Sequence, residues 1–458
     1  MKRNVTNMKE YVNVDRYTKT FQKAIQCKTV PHLDESETDW AEFEKLHKVF
    51  EEAYPLLHKT CKKEVIGKAA LLYTWEGTDP SLDPIAIIGH QDVVPVPEET
   101  LNDWTYPPFD GVIADGCLWG RGAIDMKDHV VAALESVETL LEEGYVPKRT
   151  VMLIFGYNEE LVDTEDSAAA LLARTLHERG IRLESVVDEG GGVPRLRIPG
   201  VMRKDIGVVG IAEKGYADYR LTVESRGGHS ATPPKHTAVG ILAKAVTNVE
   251  NHPYKAELTP EFKSILYLLL DNLDFPLIVL GKLLKPLLPL LRPALASIPE
   301  VASLMQTTTS VTMASGSPQA NVLPQVATAT INSRIMPGRT MDEVERHLKK
   351  VIGDKRVKIE RIGGNDPSPI SPIDTESFRA IDEINRELYD RAITAPYVIM
   401  GATDARHYHL VCDNVYRHSS FNVPVNIFML FHQTDERIPL ESFEKGVAFF
   451  KMYIKRMT

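Results

Sequence analysis

Histidines and carboxylates follow several apolar segments of the chain, and these residue types bind metal ions or move protons. His90 ends the segment PIAIIGH, and Gln91 and Asp92 follow at once. In α/β folds, active sites gather where strands reach their carboxyl ends. The Asp92 carboxylate could accept the second N–H of the imidazole and so fix its other nitrogen as a metal ligand. We interpret His90 as a metal ligand and Asp92 as its supporting residue, although a single His-x-Asp pair also occurs without metal.

Further carboxylates lie beside other predicted elements. Asp125 in WGRGAIDMKDH precedes a predicted helix, where it could cap the helix or bridge two metal ions with its two oxygens. Glu159 and Glu160 follow the segment VMLIFG, and adjacent like charges are stable only in solvent or beside a cation. With a metal present, Glu160 can bind it while Glu159 takes a proton from water. A solvated turn is the alternative interpretation of this pair.

Two more segments complete the set. Asp188 and Glu189 follow an apolar run in SVVDEGGG, and His432 follows the run NIFMLF, which we predict to be a strand. Imidazole and carboxylate donors suit zinc, with cobalt or manganese as substitutes. We therefore predict one metal site built from distant segments, with these ligands: His90, Asp125, Glu160, Asp188 and His432.

The elements that must position these residues alternate between strands and helices in the first half, including helices from Lys127 to Gly144 and from Ser167 to Gly180. This pattern predicts an α/β fold with a mixed, mainly parallel sheet covered by helices. From about residue 217 the order becomes βαββαβ, that of a ferredoxin-like α+β domain. We predict a catalytic domain of residues 1–216 and 364–458, in which NIFMLF rejoins the first sheet. A lid or dimerisation domain of residues 217–363 is inserted, with an apolar insertion at about 260–305.

Composition restricts the class of protein. A chain of 458 residues is long enough for two domains, and its net charge of −10 argues against nucleic acid as a partner. The four cysteines show no CxxC pairing, so we interpret them as core residues. The polar N-terminal segment lacks the apolar region of a signal peptide, which favours a cytoplasmic location. Charged residues and prolines interrupt the apolar insertion, so we expect no transmembrane segment.

Seven segments occur in the order found in a known family: GHQDVVP, TYPPFDGVIADGCLWGRGAIDMK, NEE, VVDEGG, GGHSATPP, ANVLP and FHQTDERI. The chain resembles, from about Thr18 to Met457, the di-zinc metallopeptidase family of aminoacylase, glutamate carboxypeptidases, succinyl-diaminopimelate desuccinylase and dipeptidases. It is most similar to the branch of carboxypeptidase S and the N-fatty-acyl-amino-acid synthase/hydrolase, partly through the apolar insertion.

This resemblance implies a role for each metal-site residue. One zinc ion would be bound by His90 and Asp188 and the other by Glu160 and His432, with Asp125 bridging the two. Relatives differ in whether the position of Asp188 or that of Glu189 supplies the carboxylate. Glu159 would be the general base, and Asp92 would support His90.

The resemblance also implies a homodimer in which the lid contributes to catalysis. His229 of the GGHS motif would reach the partner subunit's site and stabilise the oxyanion, and Asn321 would make a second polar contact. Arg334 and Arg406 would bind the substrate carboxylate, for which a guanidinium group is well shaped.

These observations predict a hydrolase that cleaves the amide bond of N-acyl amino acids or the C-terminal peptide bond of short peptides. A dipeptidase or another amidohydrolase is an alternative, as is a non-catalytic metal-binding or interaction protein, in which Glu159 would have no purpose. The apolar insertion could line an acyl groove, approach a membrane surface, or form a helical core or dimer contact. After the two glutamates the chain departs from its relatives with three extra acids, which we expect to change the substrate pocket: Asp163, Glu165 and Asp166.

Overall fold

The computed structural model describes residues 13–161, 167–195, 200–202, 204–389 and 392–458. The three extra acids predicted to change the substrate pocket lie outside the described residues: Asp163, Glu165 and Asp166.

The first part of the chain alternates strands and helices up to Glu213. Its helices are α1 (Val14–Ile25), α2 (Trp40–Ala53), α3 (Pro55–Thr60), α4 (Lys127–Glu142) and α5 (Ala168–Glu178). Its strands are β1 (Lys62–Ile66), β2 (Ala70–Trp75), β3 (Ile85–His90), β4 (Val112–Ala114), β5 (Cys117–Trp119), β6 (Val151–Gly156), β7 (Ser185–Asp188) and β8 (Ile206–Glu213).

The middle part contains mainly antiparallel strands and a run of short helices. Its strands are β9 (Gly215–Glu224), β10 (Gly228–His229), β11 (Thr308–Ser315), β12 (Val322–Leu323), β13 (Val326–Ile335) and β14 (Val357–Asn365). Its helices are α6 (Ala238–Asn251), α7 (Pro260–Asp271), α8 (Leu277–Leu284), α9 (Leu288–Leu295), α10 (Pro299–Ser303) and α11 (Met341–Ile352).

The last part returns to the first sheet. It contains α12 (Glu376–Leu388), β15 (Ile393–Ile399), β16 (Val415–Arg417), α13 (Val425–Phe428), β17 (Arg437–Pro439) and α14 (Phe443–Met457).

An eight-stranded sheet is the centre of the first unit, in the order β1-β2-β6-β3-β7-β16-β8-β15. The four neighbours β6, β3, β7 and β16 are parallel, as are β8 and β15, whereas β1 and β2 are antiparallel additions. Alternate residues of β3 enter two cores: Ile87 packs with α1, α4, α12 and α14, and Ile88 packs with α5. Helices thus cover both faces, which confirms the predicted α/β class.

A separate antiparallel sheet, in the order β11-β13-β9-β14, forms the inserted unit, which we call the lid after its predicted role. Along β9 and β13 buried residues alternate with more exposed ones, because one face is covered by α6 and α11 and the other is open. Thr340 and Glu343 form a capping box at the start of α11, and Gly353 ends the helix with a left-handed φ of 61°. The order β9-α6-β11-β13-α11-β14 is the predicted βαββαβ pattern.

The prediction that NIFMLF forms a strand of the first sheet is wrong. Val425–Phe428 is instead the short helix α13, which begins after Pro424. One turn of helix buries Ile427 against the core while leaving Asn426 and Met429 exposed. A short apolar run does not distinguish a strand from a buried turn of helix. The strands that rejoin the sheet are β15 and β16.

The apolar insertion forms helices α7 to α10. Helix α7 packs on the edge strand β15 of the main sheet, with Leu268 and Leu269 against Ile393. Within the described residues, no helix combines the length and apolarity needed to cross a membrane. Each of the four cysteines is buried and free, which confirms their interpretation as core residues.

Candidate metal centre

Three adjacent strands bring polar residues to one edge of the main sheet. The strand β3 ends at His90, which lies in register with Gly156 at the end of its parallel neighbour β6. Glu159 and Glu160 follow β6, and Glu189 follows β7 on the other side of β3. Because these strands are parallel, their carboxyl ends meet at the same edge, as expected for an α/β active site.

Two loops bring Asp125 and His432 to the same edge. Asp125 lies just before α4, and His432 lies in a turn after α13 with a left-handed φ of 61°. A buried ion pair between Arg121 and Glu436 holds the loops together, with 2.5 Å between Nη1 and Oε2. Glu436 also accepts the Ile124 N–H at 2.9 Å, and Arg121 donates to the His432 carbonyl at 3.2 Å. This pair therefore determines the separation of Asp125 and His432.

Asp125 lies between the two histidines and contacts each with a different oxygen. Its Oδ1 is 3.2 Å from His90 Nε2, and its Oδ2 is 3.0 Å from His432 Nε2. Each histidine also faces one further carboxylate: Glu189 Oε1 is 3.4 Å from His90 Nε2, and Glu160 Oε2 is 3.1 Å from His432 Nε2. The cluster thus consists of two His-carboxylate sets that share Asp125.

Hydrogen-bond acceptors face both ring nitrogens of His90. Its Nδ1 lies 3.0 Å from the carbonyl oxygen of Asp92 and 3.4 Å from Oδ1 of the same residue. Both groups keep a proton on Nδ1, and Nε2 is the nitrogen that faces Asp125 and Glu189, where a cation would take the place of its proton. Asp92 Oδ2 accepts the main-chain N–H of Glu160 at 3.0 Å. One buried carboxylate therefore orients a residue of each set.

The acidic groups of the cluster strongly perturb one another. Burial, opposed by His90 and reinforced by Glu189, raises the pKa of Glu159 well above its usual value. Burial and the nearby Asp125 carboxylate likewise raise the pKa of Glu189. Hydrogen bonds to Asp125 and Glu160 raise the pKa of His432 to about 10. Carboxylates outnumber imidazoles here, so the cluster lacks positive charge.

Divalent cations fit this arrangement. Ligand atoms of His90, Asp125 and Glu160 lie within 4.8 Å of one another, and the same holds for His90, Glu159 and Glu189. Oε1 of Glu160 is buried and has no hydrogen-bond donor among the described residues, which leaves an acceptor that a cation would satisfy. Imidazole and carboxylate oxygen are the donors that zinc, cobalt and manganese accept.

The predicted ligand Asp188 lies at the same edge of the sheet, where its Oδ1 is buried and has no hydrogen-bond donor among the described residues. Its Oδ2 accepts the Ala405 N–H at 3.0 Å, and it forms an ion pair with neither histidine among the described residues. Asp188 is the last residue of β7, and successive side chains leave a strand in opposite directions. The side chain of Glu189 therefore turns to His90 instead. Glu189 rather than Asp188 thus faces His90, and the role of Asp188 as a metal ligand stays a prediction.

His229 and Asn321, both predicted to act on substrate, lie together on the exposed surface of the lid. His229 is in β10, which pairs with β12, and its Nδ1 accepts the Ala231 N–H at 3.0 Å. Asn321 precedes β12, and its carbonyl accepts the Ser230 N–H at 3.0 Å. Within the described part of the chain, no hydrogen bond or ion pair joins them to the metal cluster. Their roles stay predictions.

The two predicted carboxylate-binding arginines lie at different places. Arg334 is near the end of β13, with its guanidinium 4.9 Å from the ring centre of Tyr216. Arg406 follows Asp404 in a short helical turn and donates to the carbonyl of Asp366 at 3.0 Å. Their roles also stay predictions.

The Arg121–Glu436 pair was missed by the sequence analysis. Arg121 lies in the motif WGRGAID and Glu436 in TDERI, so the sequence pointed to each residue separately. Their pairing across 315 residues was not, because no local pattern predicts which buried arginine meets which glutamate.

Comparisons with known proteins found a family model, curated relatives and solved structures that match this chain. A model of the peptidase family M20/M25/M40 matches residues 86–456. A probable carboxypeptidase S-like 2 from Dictyostelium discoideum is 35% identical, over 94% of this chain and 83% of that protein. The human N-fatty-acyl-amino acid synthase/hydrolase PM20D1 is 34% identical, over 93% and 84%. The fold resembles that of an M20 family metallo-carboxypeptidase from Sulfolobus solfataricus, at 19% identity and a TM-score of 0.68, over 96% and 98% of the two chains.

Replacing each of the two neighbouring acids, Asp188 and Glu189, by its amide tests which one binds metal. We expect Glu189→Gln to weaken zinc binding by more than roughly tenfold, because it removes a carboxylate facing His90. Asp188→Asn should bind zinc like the wild type, since the amide oxygen can still accept the Ala405 N–H. Competition with a chromophoric chelator measures both affinities. Weaker zinc binding by Asp188→Asn than by Glu189→Gln would identify Asp188 as the ligand.

Proposed function

The chain belongs to peptidase family M20/M25/M40 and is a metal-dependent hydrolase; from this we propose that it cleaves N-acyl amino acids, or the C-terminal peptide bond of short peptides, with two zinc ions per subunit. One observation carries the proposal. The two oxygens of Asp125 face two different histidines, each with its own second carboxylate. A carboxylate in that position suits a bridge between two cations.

In this proposal each cation has its own ligands. His90 and Glu189 would hold one and Glu160 and His432 the other, with Asp125 shared between them. Cobalt or manganese could replace zinc at such donors. Bound divalent cations supply Lewis acidity, which polarises a carbonyl group and lowers the pKa of water.

Glu159 is the residue best placed to move protons. It lies beside His90 and Glu189, yet it forms no ion pair among the described residues. A carboxylate that binds no metal ion can accept a proton from the attacking water and return it to the leaving amine. Water thereby adds across the amide bond, and the products are a carboxylic acid and a free amino acid.

Recognition of the free carboxylate is assigned to Arg334 and Arg406. A guanidinium group binds a carboxylate through two parallel hydrogen bonds, which would orient the substrate in the site. Burial, together with the nearby Arg334, lowers the pKa of Lys214 to about 8. Arg334 therefore lies close to Lys214, the residue that links β8 to β9 and so the main sheet to the lid.

The rim beside His432 favours an acyl chain on the substrate. Met429 and Phe431 are 53% and 44% exposed, and the Phe431 ring meets the His432 imidazole edge-on at 5.9 Å. Exposed apolar side chains next to a candidate metal ligand offer a surface for the hydrocarbon part of a substrate. The relative named an N-fatty-acyl-amino acid synthase/hydrolase supports the same substrate class.

A substrate series tests the proposed reaction. N-acyl leucines from acetyl to oleoyl and a panel of dipeptides are assayed with zinc, cobalt and manganese. We expect kcat/KM to rise with chain length, by up to roughly fourfold per methylene that the rim removes from water. The double variant M429S/F431S should flatten this rise while leaving N-acetyl-leucine turnover nearly unchanged. Faster turnover of dipeptides than of every acyl compound would favour the peptidase alternative, and no turnover of either class would refute both.

Removing the proposed base tests its role. Glu159→Gln keeps the size of the side chain but cannot accept the proton, so we expect kcat to fall by roughly 10²–10⁴-fold. Metal content, measured by mass spectrometry, should stay equal to that of the wild type, because Glu159 is not one of the proposed ligands. Undiminished turnover by this variant would show that another group is the base.

A homodimer would bring the exposed lid histidine to a second active site. His229 is exposed on β10, and β11 is an edge strand of the lid sheet on which Met313 is 67% exposed. An unpaired edge strand is a surface on which a second chain can add its own strand. We therefore propose that two copies associate through their lids and exchange His229.

Complementation tests this exchange. His229→Ala and Glu159→Gln are each expected to be nearly inactive alone. When both chains are co-expressed, mixed dimers contain one site with intact Glu159 and an intact partner histidine. Random pairing then restores roughly a quarter of wild-type activity. Light scattering gives the assembly state, and a monomeric enzyme or a mixture without activity would contradict the exchange.

A further inference from the structure

The apolar insertion of the lid displays a row of exposed aliphatic side chains. We call it the leucine face, and its members are Val279, Leu280, Leu283, Leu287 and Leu290. Their exposed fractions run from 45% at Leu287 to 77% at Leu290, and Phe275 beside them is 82% exposed. Four of the members recur every three or four residues through α8 and α9, so they share one side of a helical segment.

The opposite side of this segment holds it to the rest of the protein. Gly281 is buried so closely against α7 that an added Cβ would lie 2.6 Å from the Leu270 carbonyl oxygen. Leu288 is buried as well, and α7 in turn packs on β15. The leucine face therefore points outward from a supported element. Its members are exposed on a helical segment that packs against the protein, not on an irregular loop.

The charge of the segment differs from that of the whole chain. Residues 275–299 contain three cationic residues and no Asp or Glu, and the acids Asp271, Asp274 and Glu300 border the segment; the chain as a whole has a net charge of −10. Lys285 pairs with Asp271 at 2.5 Å. Lys282 and Arg292 are exposed and have no ionic partner among the described residues. A local positive charge beside an aliphatic face is complementary to an anionic lipid surface.

We propose that the leucine face docks onto the surface of an anionic lipid bilayer. The aliphatic side chains enter the boundary between headgroups and acyl chains, and Lys282 and Arg292 contact lipid phosphates. The segment lies in the plane of the membrane, since its helices α8 and α9 have only eight residues each.

On the proposed function, docking of the leucine face also brings the enzyme to its substrate. Helix α10 follows α9, and its Ser303 hydroxyl donates to Met400 Sδ at 3.0 Å. Met400 belongs to the loop that leads to Asp404, whose buried carboxylate lies beside the metal cluster. Long-chain N-acyl amino acids are amphiphiles that partition into bilayers, so a docked enzyme would meet its substrate there.

Vesicle co-sedimentation of the full chain tests the docking. The vesicles are pure phosphatidylcholine, or phosphatidylcholine with about 30% phosphatidylglycerol. The variant L287S/L290S removes two members of the leucine face that are 45% and 77% exposed. The control L33S/L101S removes two leucines of the same exposures, 77% and 45%, from another surface. We expect wild type and control to bind anionic vesicles and L287S/L290S to bind them at least tenfold more weakly.

Charge is tested separately with K282E/R292E, which should bind anionic vesicles at least tenfold more weakly at low salt. N-acetyl amino acid turnover should be unchanged in every variant, which shows that each is folded. Equal binding by L287S/L290S and the control, or no binding by the wild type, would overturn the proposal. So would a dimer that L287S/L290S dissociates without any vesicle binding, because the face would then bind a second copy. Vesicle binding by a chain that hydrolyses no amide would refute the proposed function and leave the docking intact.

Discussion

The crowding of carboxylates around two imidazoles is the constraint on which the rest of the site depends. Asp125, Glu159, Glu160 and Glu189 converge on one edge of the sheet, and Asp125 contacts both histidines. Like charges at such distances repel unless a cation lies between them, and burial strengthens the repulsion. Burial, reinforced by the neighbouring carboxylates, raises the pKa values of Glu159 and Glu189. Divalent cations would neutralise this repulsion, so the residues proposed to act in catalysis are also those that most need a cation beside them.

Strands support one part of the cluster and loops support the other. His90 ends a parallel strand in the middle of the sheet, and Glu160 and Glu189 follow its two neighbours, where helices cover both faces. Asp125 and His432 come from loops, and the buried Arg121–Glu436 pair holds those loops in place. Removing one partner of a buried ion pair leaves a charge uncompensated, which is strongly destabilising. The link between the loops is therefore as important to the centre as its ligands.

Sequence patterns predicted the parts of the fold and site that local physics determines. The α/β class and the βαββαβ lid follow from periodicity, and His90 and the Glu159–Glu160 pair follow from apolar strands that end in polar residues. The rest could not be predicted where the local pattern is ambiguous. The run before His432 fits a strand or a turn of helix equally well, and tertiary packing of Ile427 chose the helix. Asp188 and Glu189 are chemically alike, and only the direction of β7 decides which one reaches His90.

The most direct test of the central claim is anomalous diffraction from crystals of the zinc-loaded enzyme. Two anomalous peaks about 3.5–4 Å apart are expected. One should lie between His90, Asp125 and Glu189, and the other between Asp125, Glu160 and His432. A single peak, or peaks away from Asp125, would contradict a two-metal centre bridged by this residue.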